Sequence, residues 1–172
     1  MQIRQESAGD EQSIGEVHAE AFSVTDNPEA VPPEVGLVEA LRGSPAWIPA
    51  LSLVAIENEQ IVGHVTCTRA HVDEVPVLGL GPIGIKVVRQ NHGVGTTLMR
   101  AVIRAADGRG EPLIGVLGSI SYYSRFGFGP SSQQGISSPD PSWGDHFQTL
   151  RLVVYREDIS GRFEYAKPFE LV

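Results

Sequence analysis

The stretch GLGPIGIKVVRQNHGVGTTLM, residues 79–99, holds two glycine patterns, each with the make-up of a phosphate cradle. Gly79, Gly81 and Gly84 fit G-x-G-x-x-G, while Gln90, Gly93 and Gly95 fit Q-x-x-G-x-G. Either works only if its glycines open a helix, because the anion is held by unpaired N–H groups and the helix dipole. That dipole is worth roughly 0.3–1 kcal/mol, and about 2 when sheltered. After Gly81 the chain runs Pro-Ile-Gly-Ile-Lys-Val-Val, which is strand-like, and no acidic residue follows where a ribose partner belongs. The first pattern therefore reads as a bend in a strand, and an NAD-dependent enzyme is set aside. After Gly95 a helical pattern begins at once. On its own, Gln90–Gly95 fits an anion loop and a plain turn before a helix equally well.

Hydrophobic periodicity supplies the elements that would position these loops. Ile3–Gln5 predicts a short strand, and Asp10 is placed to cap a helix over residues 11–22. A proline-bearing loop at 23–33 precedes a short helix over Glu34–Arg42. Leu51–Glu57 and Ile61–Arg69 read as a hairpin, and Val75–Val88 as a third extended run. Gly95–Ala106 predicts a helix, Leu113–Leu117 a strand, and Tyr122–Phe126 one or two helical turns ended by Gly127. Leu150–Tyr155 is the last clear strand. The order describes a mixed α/β (α+β) fold, and 172 residues predict a single domain spanning 1–172.

The formal net charge is −8, and Lys and Arg form no cluster along the chain, which argues against a nucleic-acid surface. The N-terminus is polar and acidic, unlike a signal peptide, and no apolar run is long enough to span a bilayer. A cytoplasmic protein with no membrane partner is expected. Cys67 is the sole cysteine, so no internal disulfide forms, and no H-x-x-H or carboxylate cluster suggests a metal.

From Val77 to Phe128 the chain carries a strand, the Gln90–Gly95 loop, a helix, a second strand and the terminal YYSRFGF. In order and spacing this resembles the GNAT superfamily of acyl-CoA-dependent N-acetyltransferases. LGLGP, YYSRFGF and the late Tyr165, Pro168 and Phe169 resemble its YhbS-like subgroup of predicted acetyltransferases. The resemblance implies a mixed, mostly antiparallel central sheet with helices on both faces and a splay between the fourth and fifth strands. It implies acetyl-CoA as co-substrate and an amine on a small molecule or peptide as acceptor.

By the same resemblance, the amides of Gln90, Asn91, His92, Gly93, Val94, Gly95 and Thr96 would hold the cofactor's pyrophosphate. Ile83, Ile85 and Val87 would pair with its pantetheine arm, whose amides imitate a peptide strand. An N–H of Ile83 or Ile85 would stabilise the developing oxyanion. Tyr123, four residues before Gly127, would protonate the leaving thiolate and touch the cofactor; Tyr122 is the competing neighbour. The subgroup's Asp-Pro before the tyrosines is replaced by Ser119-Ile120, where Ser119 can still cap the short helix beside the cofactor. Asn91-His92 stand where an Arg-Gln type pair is usual, leaving less positive charge for phosphates. These departures motivate a second reading, a non-catalytic acyl-CoA sensor or interaction module.

The amine must lose a proton, at a cost of about 4.6 kcal/mol for a Lys-like group at pH 7. Glu20, Glu39, His64, His71 and His92 are formally available, and none is singled out as the base. His92, within the loop, reads as a cofactor contact, and His18 as a residue tucked under its helix. Trp47 and Trp143 could line an acceptor pocket or a homodimer surface, or simply anchor loops. Asp26, Glu29, Glu34 and Glu39 would suit a cationic amine, or a solvated face.

Overall fold

The computed structural model describes every residue, Met1–Val172. In chain order it contains β1 (Gln2–Gln5), α1 (Glu11–Ala21), α2 (Pro33–Arg42), β2 (Ser52–Glu57), β3 (Gln60–Val72) and β4 (Val75–Ile85). There follow α3 (Val94–Gly108), β5 (Leu113–Leu117), α4 (Ile120–Tyr123), β6 (Gly129–Pro130), β7 (Ile136–Ser137), β8 (Phe147–Arg151) and β9 (Gly161–Glu164). The main sheet runs β1-β2-β3-β4-β5-β8-β6, and β9 joins the far end of β3. Every pairing along that run is antiparallel except β4 with β5, which the α3 crossover makes parallel.

Alternation along β2 sorts the two faces of the sheet. Leu53 and Ala55 pack with Leu98, Met99 and Val102 of α3, while Val54 packs with Ile14, Val17 and Val38 of α1 and α2. Helices thus cover both faces. A third cluster, built on Val77, Leu113, Phe147 and Phe163, closes the sheet at the end where β4 and β5 still touch.

That touch is brief. β4 and β5 pair only at Leu78–Ile114 and Gly79–Gly115. Beyond Gly79, β4 keeps β3 on one side and β5 keeps β8 on its own side, so the edges facing one another are free. The register of β4 against β3 shifts between Val65 and Cys67, where Gly81 and Pro82 together oppose Thr66. The first glycine pattern is a bulged strand, as its strand-like continuation predicts.

Three expectations need correction. Asp10 precedes α1, but its carboxylate does not cap it; it accepts from Arg4 at 2.6 Å and from the Ser7 N–H at 2.8 Å. The third extended run stops at Ile85, and Val87–Arg89 forms a 3₁₀ turn tied down by the Arg89–Glu57 ion pair. The last long strand is Phe147–Arg151 rather than Leu150–Tyr155, since the chain turns away after Arg151 and leaves Val153 87% exposed. Beyond it lies β9, whose one apolar residue, Phe163, is fully buried.

Candidate active site

Alternation on β4 decides which backbone groups face the gap. The Lys86 N–H donates to Val62 O, so Gly84, two residues earlier, also turns its amide toward β3. Ile83 and Ile85 therefore turn theirs toward the open side. The Ile85 carbonyl is met there by the Gln90 side-chain amide at 3.1 Å. Gln90 thus ties the loop to the strand edge. Val87 departs from the expected strand role: it sits in the turn, and its N–H donates to Glu20 Oε1 at 2.6 Å. That bond also occupies Glu20.

The loop ends in Gly93, whose φ of +83° places it in the left-handed region as the residue before α3. The first backbone bond of this helix runs from the Thr97 N–H to Gly93 O, so the N–H groups of Val94, Gly95 and Thr96 have no helical partner. Gln90 to Gly93 line the outer side of this loop, and His92 is held by the loop itself, with Nδ1 2.7 Å from Gln90 O. A side chain at Gly95 would begin 2.8 Å from the Tyr122 hydroxyl and would push that hydroxyl aside. Thr96 accepts from Arg125 at 3.2 Å.

The two tyrosines divide cleanly. Ser119 caps α4, accepting from the Tyr122 N–H at 3.3 Å, as its position suggested. Tyr122 turns toward Gly95 and lies under the Arg125 guanidinium, 4.9 Å from its ring centre. Tyr123 turns inward, 8% exposed, with its ring against Gly118, and lines a cavity of about 550 Å³. Ile83 and Val116, from the two parted strands, line the same cavity. Burial pushes the Tyr123 phenol well above its ordinary range, so it is fully protonated at neutral pH.

Other candidates sort by position. Trp143 lines the cavity, whereas Trp47 stacks under Arg42 elsewhere. His18 and His64 are both fully buried, with His18 Nε2 2.8 Å from His64 Nδ1, and neither reaches the cavity. Glu39 and His71 are exposed and also lie off it. Cys67 is buried in the main core, and burial pushes its thiol far up, which makes it inert.

Sequence reasoning passed over two groups. Tyr165 stands where β4 and β5 part, its ring filling the space that a side chain at Gly79 would need; the late Tyr-x-x-Pro-Phe run was its only signal. Arg100, Arg104 and Arg125 line one groove beside α3, and none of them pairs with a carboxylate. Arg100 and Arg104 are one helical turn apart, and only folding brings Arg125 to them.

Residues 2–131 match the acetyltransferase (GNAT) domain family. The chain is 32% identical over 169 residues to the uncharacterized N-acetyltransferase YjhQ of Escherichia coli K12, covering 94% of this chain and 90% of that one. Its fold matches the Escherichia coli GNAT family N-acetyltransferase YhbS, solved in complex with CoA, with a TM-score of 0.86 at 25% identity, covering 98% and 91% of the two chains. A GNAT family acetyltransferase from Brucella melitensis, solved with acetyl-CoA, matches with a TM-score of 0.77 at 30% identity, covering 98% and 97%.

Proposed function

Since the chain belongs to the GNAT acetyltransferase family, we propose that it moves an acetyl group from acetyl-CoA to a primary amine, on a small molecule or a peptide, by direct attack in a ternary complex. The observation that carries this reading is the convergence of three features on one gap. These are the edge of β4 at Ile83 and Ile85 that no strand pairs, the unpartnered amides of Val94, Gly95 and Thr96, and the buried Tyr123 on the cavity wall. Each suits one part of acetyl-CoA: the amides of its pantetheine arm, its pyrophosphate, and its sulfur.

The groove of Arg100, Arg104 and Arg125 adds positive charge next to the amide cradle. It supplies what Asn91 and His92 do not, and it suits the nucleotide end of the cofactor. Both similar structures named above hold CoA or acetyl-CoA, which supports the same placement here.

In this reading the Ile83 N–H donates to the thioester oxygen as negative charge develops there. The amine nitrogen forms a bond to the carbonyl carbon, the carbon–sulfur bond breaks, and Tyr123 gives its proton to the departing sulfur. In water a phenol is a weaker acid than a thiol, which would oppose that transfer. Here the apolar walls that raise the phenol disfavour a bare thiolate as well, so burial of both groups does not widen the mismatch. The nitrogen sheds one proton as the ammonium becomes an amine and a second once the new bond has formed; both leave through water, one returning to the Tyr123 oxygen, and no side chain is assigned as the base. Ser119 supplies the cap that the subgroup's acidic residue would have supplied, so α4 is held without it.

The test is thiol release from acetyl-CoA across a panel of primary amines, with product mass measured. Amine-dependent CoA release with a 42-dalton gain on the amine is expected, the mass of an acetyl group replacing hydrogen. Tight acetyl-CoA binding with no release on any amine would contradict the reading and favour an acyl-CoA sensor.

A further inference from the structure

The cavity behind Tyr123 extends away from the strand gap toward α2. There its walls are Phe22, Leu37, Trp143, Tyr165 and Phe169, with Glu34 as the single charged side chain among all its lining residues. Glu34 and Leu37 are three residues apart on α2 and so share a face. The other acidic residues of this segment, Asp26, Glu29 and Glu39, do not line the cavity. Glu34 also stands apart from the sheltered carboxylates Glu6, Asp10, Glu57 and Glu111, each of which is paired with an arginine. It forms no ion pair and no side-chain hydrogen bond, although it is half-buried. A carboxylate in the first turn of a helix is favoured by the dipole, which explains its presence but not its place on the wall of an apolar chamber.

We propose that Glu34 selects the acceptor, a primary amine carried on an apolar, aromatic body with no second charge. This rests on the acetyl-transfer reading above. The ammonium group meets the Glu34 carboxylate on entry, and the body lies against the aromatic walls. The same chamber turns away two other amine classes. A free amino acid would bring a carboxylate, and no Arg, Lys or His lines the cavity to meet it. A polyamine would bring several cations to a site with one acidic side chain. The volume of about 550 Å³ suits a small amine beside the thioester end of the cofactor.

The experiment compares three acceptors that isolate these features: phenylethylamine, phenylalanine with the same body and an added carboxylate, and spermidine with several cations. Steady-state rates are measured for the natural chain, Glu34→Gln and Glu34→Asp, and melting curves confirm that both variants fold. Phenylethylamine is expected to have a kcat/KM at least tenfold above the other two. Glu34→Gln should raise its KM about tenfold or more, the loss of one charge-assisted hydrogen bond, and leave the KM for acetyl-CoA unchanged. Glu34→Asp should recover part of the effect. Preference for phenylalanine or spermidine, or an unchanged KM in Glu34→Gln, would overturn the inference while leaving acetyl transfer standing. Absence of transfer to all three, with other primary amines of the panel still acetylated, would likewise overturn the inference alone; absence of transfer across the whole panel, with acetyl-CoA still bound, would strike the acetyl-transfer reading and this inference with it.

Discussion

Tyr122 and Tyr123 are neighbours in the chain with their rings 5.0 Å apart and nearly perpendicular, yet folding gives them different surroundings. Tyr122 faces the loop and Arg125; Tyr123 faces the gap, buried and protonated. Phenylalanine at 123 keeps the ring against Gly118 and removes only the proton donor. Tyr123→Phe should therefore lower kcat by about a hundredfold or more, the usual scale of a lost general acid. Calorimetry should find acetyl-CoA affinity nearly unchanged. An unaltered kcat would remove Tyr123 from the chemistry. In the sequence, only family spacing places Tyr123 ahead of Tyr122. The physical ground, which ring turns inward, needs Gly118 and Phe128 in place around it.

The loop before α3 is the element that would hold the pyrophosphate in the proposed reading. Alanine at Gly95 would gain about 1 kcal/mol of helix propensity, but its methyl group would press on the Tyr122 hydroxyl at 2.8 Å. Because the pressed atom is the tip of a side chain, the fold can yield there, whereas the anion site above these amides loses its close approach. Gly95→Ala should thus melt within a few degrees of the natural chain and bind acetyl-CoA about tenfold more weakly, about 1.4 kcal/mol. Unchanged affinity would mean that the pyrophosphate lies elsewhere. This element was legible because its signal is local: a glycine in the left-handed region, a bare first turn, then Leu98 and Val102 at helical spacing. β9 was not, because three of its four residues are not apolar and it is held by pairing with β3 and β7. The stretch after β8 misleads for the opposite reason: Leu152, Val153, Val154 and Tyr155 look like a strand, but no neighbouring strand pairs with them. The cavity walls were the least legible part. Phe22, Glu34, Trp143 and Phe169 come from four separate segments, and no spacing rule connects them.

Across the whole molecule, a buried polar chain joins β1, α1, α2, β2 and β3. Arg42 and Ser52 both donate to Glu6, at 2.6 Å each. With the Ser52 proton committed to Glu6, His64 must donate from Nε2 to Ser52 Oγ at 2.8 Å, and His18 from Nε2 to His64 Nδ1. Burial lowers both imidazoles below their ordinary range, so both are neutral at pH 7, which fixes this order of donors. Burial, then the repulsion a protonated His18 would meet from a protonated His64 and from the Arg42 cation, hold His18 down at about 3. Burial would raise Glu6, but hydrogen bonds from His64, Arg42 and Ser52 outweigh it and bring the carboxyl to about 2. The Arg4 hydrogen bond, against a smaller burial effect, brings Asp10 to about 2. All three folded values lie below the ordinary ones, so the unfolded chain binds more protons and stability drops as the solution is acidified. His18 contributes fully above about pH 6.5 and loses its contribution as pH drops toward 3; the two carboxylates follow below about pH 4.5. Denaturant unfolding should show stability lower by about 2 kcal/mol at pH 5 than at pH 8 from His18 alone, and a flat profile over that range would contradict the buried, neutral pair.

The fold leaves an edge of β4 without a strand partner beyond Gly79, and in the proposed reading acetyl-CoA fills it. Amide hydrogen exchange with and without acetyl-CoA, resolved by overlapping peptides, tests this most directly. The ligand should slow exchange in two separate segments, Leu80–Ile85 on β4 and Gly93–Thr96 at the start of α3, and leave the core strand β2 unchanged. Protection confined to other segments, or none at saturating acetyl-CoA, would contradict the account.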